Sequence, residues 1–213
     1  MEIHDDKSVD SIFPERGEIG PLTLVRLSEP AVSLDELYDL FCRMDDEDRY
    51  LAFEKKNSLK SCQEFLTEVD EKWEAGTKAF YGIRIDGYDG LGGVCSFECD
   101  WERQVGEFGI CLLREHWGNE YAHQTAYLLF TVGFAHLDLE VMEVEHAVEN
   151  DRSHRTIKKG LEAIGGRYVG IIPNCRVVDG EPTDWHYYVM EQDEFRGPSA
   201  DVDTASHGAT ADD

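Results

Sequence analysis

A strand that ends in a glycine-containing turn and leads directly into a helix is the feature of this sequence best suited to chemistry. Residues 105–113 alternate as a strand does, REHWGN follows at 114–119, and a helix is predicted from Glu120 to about Phe134. Such a step directs backbone N–H groups and the positive end of the helix dipole at one spot, which suits a diphosphate. Because many α/β proteins contain this step, it does not identify a ligand by itself.

Two ionisable side chains lie on strands near this step. Glu107 shares a strand face with Val105, Gly109 and Cys111, where a carboxylate is out of place unless it has a partner or a task. It is either a functional group or a structural carboxylate bonded to a neighbouring loop. His146, on a predicted strand at 141–148, is a second titratable candidate, although a lone strand histidine is more often a satisfied core residue.

The elements that must position these residues are readable from hydrophobic periodicity and capping signals. Ser33 with Glu36, and Ser61 with Glu64, each form a capping box that opens a helix. Asn119 is the expected N-cap of the helix that follows the glycine turn. A further helix is predicted from Asp151 to about Ile164, before a Gly-Gly stop. The predicted strands are 22–27, 78–85, 92–99, 105–113, 141–148, 168–172 and 185–190.

This order of elements predicts an α+β fold with a mixed, mostly antiparallel sheet flanked by helices on both faces. The length suits one domain with a substantial core. We expect a flexible N-terminal segment at 1–20, the domain at 21–196, and a disordered acidic tail at 197–213.

The composition is strongly acidic. Asp and Glu total 45 against 20 Lys and Arg, so the formal net charge is −25. Such a surface repels a phosphate backbone, so nucleic acid is not an expected partner. The charge either steers cationic substrates or adapts the surface to concentrated salt, and its spread over every segment favours salt adaptation.

Cysteine usage and hydropathy bear on metal binding and location. The six cysteines form no CxxC pair. Cys95, Cys99 and Cys111 lie on neighbouring predicted strands without a histidine at ligand spacing, so we expect buried thiols and no metal. The polar first residues do not resemble a signal peptide, and no apolar run reaches the length of a membrane span. The sequence therefore predicts a cytoplasmic protein without a membrane partner.

Four motifs in the order found here resemble the GNAT superfamily of N-acetyltransferases, and its ribosomal-protein N-terminal (RimJ/RimL-type) branch in particular. GEFGI at 106–110 resembles GE-x-GI of the fourth strand, and WGNEYA at 117–122 resembles the WG-x-GYA loop. ENDRS at 149–153 resembles EN-x-x-S, and DWHYY at 184–188 resembles the D-x-x-x-Y of the late hairpin. The resemblance covers about residues 20 to 195.

The resemblance implies acetyl-CoA as co-substrate. Amides of the 115–120 turn would cradle the CoA diphosphate, and strand 105–113 would pair with the pantetheine arm like an extra strand. Ser153 would protonate the departing thiolate, because the tyrosine that other branches use is replaced by Ile157. The alternative interpretation is that Asn150 is a plain N-cap and Ser153 a first-turn serine that only caps. The implied CoA-binding residues are Ile110, Leu112, Arg114, Trp117, Gly118, Asn119, Tyr121, Ala122 and Asn150.

Acetyl transfer to an amine also requires a base, because only a neutral amine attacks a thioester. Glu107 is the leading candidate, acting through a water, and His146 is the weaker one. Side-chain amines titrate near ~10 and N-terminal amines near ~8, so an N-terminal amine needs less help. The resemblance therefore implies a primary amine acceptor, and a protein or peptide N-terminus fits the branch best. Four acids at 45–48 either attract such a cation or form an ordinary solvated run.

One departure from the family pattern leaves a second function open. Glu120 stands where the family loop has Gly or Ala, and its charge would lie close to a bound diphosphate. The rival hypothesis is therefore a non-catalytic acyl-CoA sensor or interaction module. A third is an enzyme with a different acyl donor. The oligomeric state, monomer or homodimer, is not determined by the sequence.

Overall fold

The computed structural model describes residues 1–4, 11–44 and 55–196, which form one nine-stranded sheet with helices on both faces. The predicted acidic loop at 45–48 and the predicted tail at 197–213 lie outside these residues. The strands are β1 (Glu2–His4), β2 (Arg16–Ile19), β3 (Leu22–Arg26), β4 (Lys78–Ile85), β5 (Gly93–Asp100), β6 (Val105–Leu112), β7 (Val141–Ala147), β8 (Arg167–Val178) and β9 (Glu181–Glu191). The helices are α1 (Leu34–Arg43), α2 (Leu59–Glu74), α3 (Tyr121–Thr131) and α4 (Asp151–Ile164).

The strands follow one another across the sheet except at the end, where the order is β7-β9-β8. Neighbouring strands are antiparallel except β6 and β7, which are parallel. The predicted α+β class and the mostly antiparallel sheet are confirmed.

The described residues among the first 20 differ from their prediction. Arg16–Ile19 pairs with β3 along its whole length, and Phe13 is only 1% exposed because its ring packs 5.4 Å from that of Trp73. Residues 11–20 are therefore part of the domain, and the prediction of a flexible segment was wrong for them. The sequence signal was weak because β2 is four residues long and begins beside a proline-containing loop.

α1 and α2 cover one face of the sheet. The Ser33–Glu36 capping box opens α1 as predicted. α2 begins earlier than predicted, because Ser58 accepts from the Ser61 amide and forms the cap itself. Their apolar stripes meet the sheet in a cluster that includes Phe41 and Phe65, whose rings pack edge to face.

α3 and α4 cover the other face. α3 continues as one π-helical turn at Val132–His136. α4 ends at Gly165, which adopts a left-handed φ of 111°. Under these helices lies the larger core cluster, in which Leu128 and Leu129 of α3 are fully buried against Phe97 and Met142.

The last hairpin is longer than predicted. β8 and β9 run on to a turn at Asp179 and Gly180, with register shifts between Tyr168 and Gly170 and between Ile172 and Arg176. These irregularities break the alternation on which strand prediction depends. Within the described ranges, no helix combines the length and apolarity needed to cross a membrane.

Candidate functional site

The parallel strands β6 and β7 separate to form a V-shaped opening. They pair only from Val105 to Glu107 and from Val141 to Glu143, although β6 extends to Leu112 and β7 to Ala147. Because the two strands are parallel, both open at the same edge of the sheet. The glycine turn that follows β6 and the start of α4 that follows β7 therefore lie at this edge.

The turn after β6 leads into α3 without a side-chain cap. Arg114–His116 forms a 3₁₀ turn, and Gly118 adopts a left-handed φ of 79°. Asn119, the predicted N-cap, instead donates from Nδ2 to the His116 carbonyl at 3.2 Å and closes the turn. The N-cap position is Glu120, which makes no capping hydrogen bond. The first amides of α3 are thus left for another acceptor, as in anion sites at helix N-termini.

The predicted cofactor residues surround this turn. Ile110 packs toward the core under α3, and Leu112 accepts a hydrogen bond at its carbonyl from Trp117 Nε1 at 2.7 Å. The Arg114 guanidinium lies 5.5 Å from the centre of the Trp117 ring. The side chains of the first turn, Tyr121 and Ala122, pack against the same core. The structure therefore brings the strand end, the turn and the first turn of α3 together.

Glu120 interacts with a side chain of its own helix. Its carboxylate lies 2.7 Å from Nδ1 of His123, and this hydrogen bond lowers the pKa of Glu120 below its usual value. His123 Nε2 lies 3.1 Å from the Thr156 carbonyl and so connects α3 to α4. The Glu120 side chain is 69% exposed, so its charge is largely solvated at the mouth of the loop.

Asn150 and Ser153 lie together at the start of α4. Asn150 Oδ1 accepts from the Ser153 amide at 3.0 Å, so the capping interpretation of Asn150 is confirmed. Its amide nitrogen is not used by this cap, which leaves the predicted bond to pantetheine compatible with it. Ser153 is half-buried on the first turn of the helix. The roles of both residues toward CoA stay predictions.

Glu107 has an ion-pair partner that the sequence did not reveal. Arg176 Nη2 of β8 lies 2.5 Å from Glu107 Oε1, and Arg176 Nε contacts the carboxylate of Glu145 on β7. Arg176 thus bridges two carboxylates across the splayed strands. Its contact with Glu107 joins residues 69 apart in the sequence, in the irregular hairpin that was predicted too short.

Burial controls the protonation of this group. Desolvation raises the pKa of Glu107; the Arg176 charge opposes this shift and the Glu145 carboxylate adds to it. Arg176 stays charged, since both acids raise its pKa against the effect of burial. A carboxylate with a raised pKa is a stronger base than an ordinary glutamate, so Glu107 beside the opening is suited to accept a proton.

His146 lies on the other face of the sheet from Glu107. It follows Met142 and Val144 on the face toward α4, whereas Glu107 is in register with Glu143 on the opposite face. Its imidazole is 4% exposed, and burial lowers its pKa to about 4. The structure places His154 of α4 and His186 of β9 against it, with ring centroids 5.4 and 4.8 Å away.

The cysteines considered for a metal do not converge. Cys95 and Cys99 belong to the core under α3, whereas Cys111 belongs to the core under α1 and α2. The sheet therefore separates them, and burial raises the pKa of Cys99 to about 12.

Comparison with known proteins supports the architecture. Residues 22–160 match the family described as Acetyltransferase (GNAT) domain. An uncharacterized N-acetyltransferase, p20 of Bacillus licheniformis, is 21% identical over 150 residues, which are 70% of this chain and 82% of p20.

Two solved structures share the fold. One is RimL, a ribosomal L7/L12 alpha-N-protein acetyltransferase in complex with coenzyme A, at TM-score 0.72 and 16% identity over 84% of this chain and 99% of that one. The other is spermidine N-acetyltransferase from Vibrio cholerae in complex with CoA and spermine, at TM-score 0.66 and 18% identity over 82% of this chain and 97% of that one.

Proposed function

This chain belongs to the GNAT acetyltransferase family and is an acetyl-CoA-dependent acetyltransferase, and we propose that its acceptor is a primary amine, the N-terminus of a protein or peptide. The four motifs that resemble the ribosomal-protein branch and the structural likeness to RimL support this acceptor. The likeness to a spermidine N-acetyltransferase makes a polyamine the alternative amine to test.

The V-shaped opening is the observation that carries the proposed site for acetyl-CoA. It leaves the β7-facing edge of β6 beyond Glu107 without a strand partner in the described part of the chain. An extended pantetheine arm would add to this edge by backbone hydrogen bonds, and a β6 amide would polarise the thioester carbonyl. The diphosphate would lie on the uncapped first turn of α3, and the Asn150 amide would bond the arm from the other side.

Glu107 is the proposed base. Its carboxylate, acting through a water, takes a proton from the bound ammonium, and the freed nitrogen lone pair attacks the thioester carbonyl carbon. The attacking nitrogen releases its second proton to solvent, the carbon–sulfur bond of the tetrahedral intermediate breaks, and the thiolate takes a proton from Ser153, which solvent reprotonates. The products are an N-acetylated amine and CoA, and this direct transfer requires no metal.

A peptide acetylation assay tests the proposal. Acetyl-CoA should raise the melting temperature, and N-terminal peptides should then release CoA thiol, whereas the same peptides with blocked N-termini should not. Glu107→Gln should reduce kcat by about 100-fold, the low end for a general base, with CoA affinity nearly unchanged. Arg103→Gln is the matched control, since Arg103 pairs with Glu143 on the same sheet face without touching Glu107. Equal rates for Glu107→Gln and the parent would remove Glu107 as base.

The outcome of this assay also separates the rival functions. Glu120 at the mouth of the loop favours a sensor, because its charge opposes a diphosphate. Stabilisation by acetyl-CoA with no thiol release from peptides or spermidine would support that rival. Faster release from a longer acyl-CoA would indicate a different donor. If neither CoA nor acetyl-CoA stabilises the fold, the CoA site proposed here is absent.

We also propose that the protein works in the cytoplasm at high salt, as a monomer or homodimer. The net charge of −25, spread over the whole chain, supports salt adaptation. For oligomerisation, the exposed apolar side chains of the edge strand β8, including Val169 and Ile171, provide a surface.

A further inference from the structure

Three histidines from three separate elements meet between α4 and the sheet. His146 lies on β7, His186 lies directly opposite it on β9, and His154 lies on the first turns of α4. One ring nitrogen from each is within 4.8 Å of the other two. The spacing in the sequence does not reveal this cluster, because only the strand order β7-β9 and the placement of α4 bring the three together.

The hydrogen bond of His146 determines which of its nitrogens is free. Nδ1 lies 3.0 Å from the Ala147 carbonyl oxygen, which can only accept, so Nδ1 carries the proton. Nε2 therefore holds a lone pair. It is buried and has no hydrogen-bond partner among the described residues. An unpaired buried acceptor is unfavourable, and a bound cation would satisfy it.

The other two histidines have the same outer arrangement. His154 Nδ1 lies 3.0 Å from the Tyr188 hydroxyl, and His186 Nδ1 lies 2.9 Å from the Tyr168 hydroxyl. In metal sites, a ligating histidine typically donates its second ring N–H to a carboxylate, a backbone carbonyl or a water, which fixes the tautomer and orients the ring, and a tyrosine hydroxyl oxygen can accept in the same way. All three Nδ1 atoms therefore have an oxygen partner, and in the tautomer in which Nδ1 donates to that oxygen the Nε2 atom of each ring holds the lone pair that can ligate.

We propose that His146, His154 and His186 bind one divalent cation of the zinc class through their Nε2 atoms. Imidazole nitrogens select Zn²⁺ and its transition-metal neighbours over Mg²⁺ and Ca²⁺, which prefer oxygen. Tetrahedral coordination at ~2.0–2.1 Å places the ligand nitrogens about 3.3 Å apart, so the rings need to approach by about 1.5 Å or less. His154 and His186 are half-exposed, which leaves a path for entry and a fourth position for water.

The position of the cation gives it a role in the proposed site. It would join β7 and β9 to the first turns of α4, where Asn150 caps the helix and Ser153 precedes His154. The metal would therefore hold in place the helix start that is proposed to contact CoA. It would act as a positioning element, on the opposite sheet face from Glu107.

Metal titration of the full-length, untagged chain tests the proposal. After removal of metals with a chelator, ZnCl₂ should bind at one ion per chain in calorimetry and raise the melting temperature. Co²⁺ should give visible bands of a nitrogen–oxygen site without the charge-transfer band of a thiolate, which excludes the exposed Cys42 as ligand.

Variants of the half-exposed ligands identify the site. His154→Gln and His186→Gln should each abolish stoichiometric Zn²⁺ binding while circular dichroism shows the parent fold. His136→Gln is the matched control, because this histidine is half-exposed like the two ligands but lies at the end of the π-helical turn, outside the cluster. Tyr168→Phe, which removes the hydroxyl beside His186, should weaken binding by about 10- to 100-fold.

Several results would overturn the site. They are the absence of Zn²⁺ binding to the folded chain, full binding by both histidine variants, or a thiolate band with Co²⁺. Because these readouts do not depend on turnover, the metal site can fail while acetyl transfer is observed, and the reverse is equally distinguishable.

Discussion

Replacing Arg176 by glutamine tests whether the ion pair controls the proposed base. Arg176 is the cation that faces both Glu107 and Glu145, at 2.5 Å from Glu107 Oε1. Its loss leaves two carboxylates near each other, and Glu145 is only 9% exposed at its side chain. Both the missing cation and the neighbouring anion disfavour ionisation of Glu107, so its already raised pKa rises further.

The structure sets the size of this shift. An opposite charge within hydrogen-bonding distance lowers a carboxyl pKa by about 1 to 3 units. Arg176 and Glu107 are each 37% exposed, so solvent screening places the expected change near the lower limit, at about one unit. A base works only when ionised. The acid limb of the kcat profile should therefore move about one unit toward higher pH, with a rate about tenfold lower on that limb and the parent rate above it.

The assay is thiol release at saturating acetyl-CoA and a single peptide, measured across pH for three proteins. Using one peptide keeps the contribution of the amine constant. Arg103→Gln should keep the parent profile, because Arg103 pairs with Glu143 and not with Glu107. A uniform drop in kcat for Arg176→Gln, with the limb in its parent position, would show that Arg176 acts only through the fold and would refute the reasoning.

Three further predictions concern the loop, the helix start and the surface charge. Glu120→Gln should lower the Kd for CoA by about fivefold in calorimetry, as expected for removing one repulsive charge worth ~1 kcal/mol. An unchanged Kd would show that the solvated Glu120 carboxylate does not affect CoA binding. Ser153→Ala should reduce kcat by about 100-fold with an unchanged melting temperature, because the amide that Asn150 caps is retained, and an unchanged kcat would remove Ser153 as the acid. Melting temperature and activity should both rise from dilute to molar KCl, where the screening length falls to about 3 Å; a fall in melting temperature would contradict salt adaptation.

Strand alternation and capping motifs predicted most helices and strands well, because these signals depend only on residues that are close in the sequence. The strand β4 and the capping box of α1 form where alternation and the Ser33–Glu36 pair predict them. Asn119 was predicted as a cap because its type suits one, but closing the Gly118 turn uses its side chain instead. Whether a side chain such as that of Asn119 caps the helix or closes the turn depends on the geometry of the turn, which the residue type does not encode.

The side-chain partners of Glu107 and His146 come from distant segments of the chain, and hydrophobic periodicity does not predict such contacts. Arg176 follows a register shift in β8, so the alternation that would have placed it on the face of Glu107 is interrupted before it. The contact between His186 and His146 was also not predictable from periodicity. It exists because β9 lies between β7 and β8 in the sheet, which places the two histidines opposite each other. Both partnerships depend on strand order, which the sequence constrains weakly.

The sheet divides the two kinds of chemistry proposed here. The proposed binding of CoA would rely on backbone groups at the opening between β6 and β7, which follow from topology and tolerate much change in side chains. The proposed proton transfer would rely on Glu107 and its ion-pair partner Arg176 on one face, whereas the histidine cluster lies on the other, beneath α4. A cation bound by the histidines would therefore be separated from Glu107 by the sheet, and would act on the reaction by fixing the start of α4 more than by its charge. We therefore expect acceptor specificity to depend on the β8–β9 hairpin, which supplies Arg176 to one face and His186 to the other, more than on β6 and β7, which would hold the cofactor.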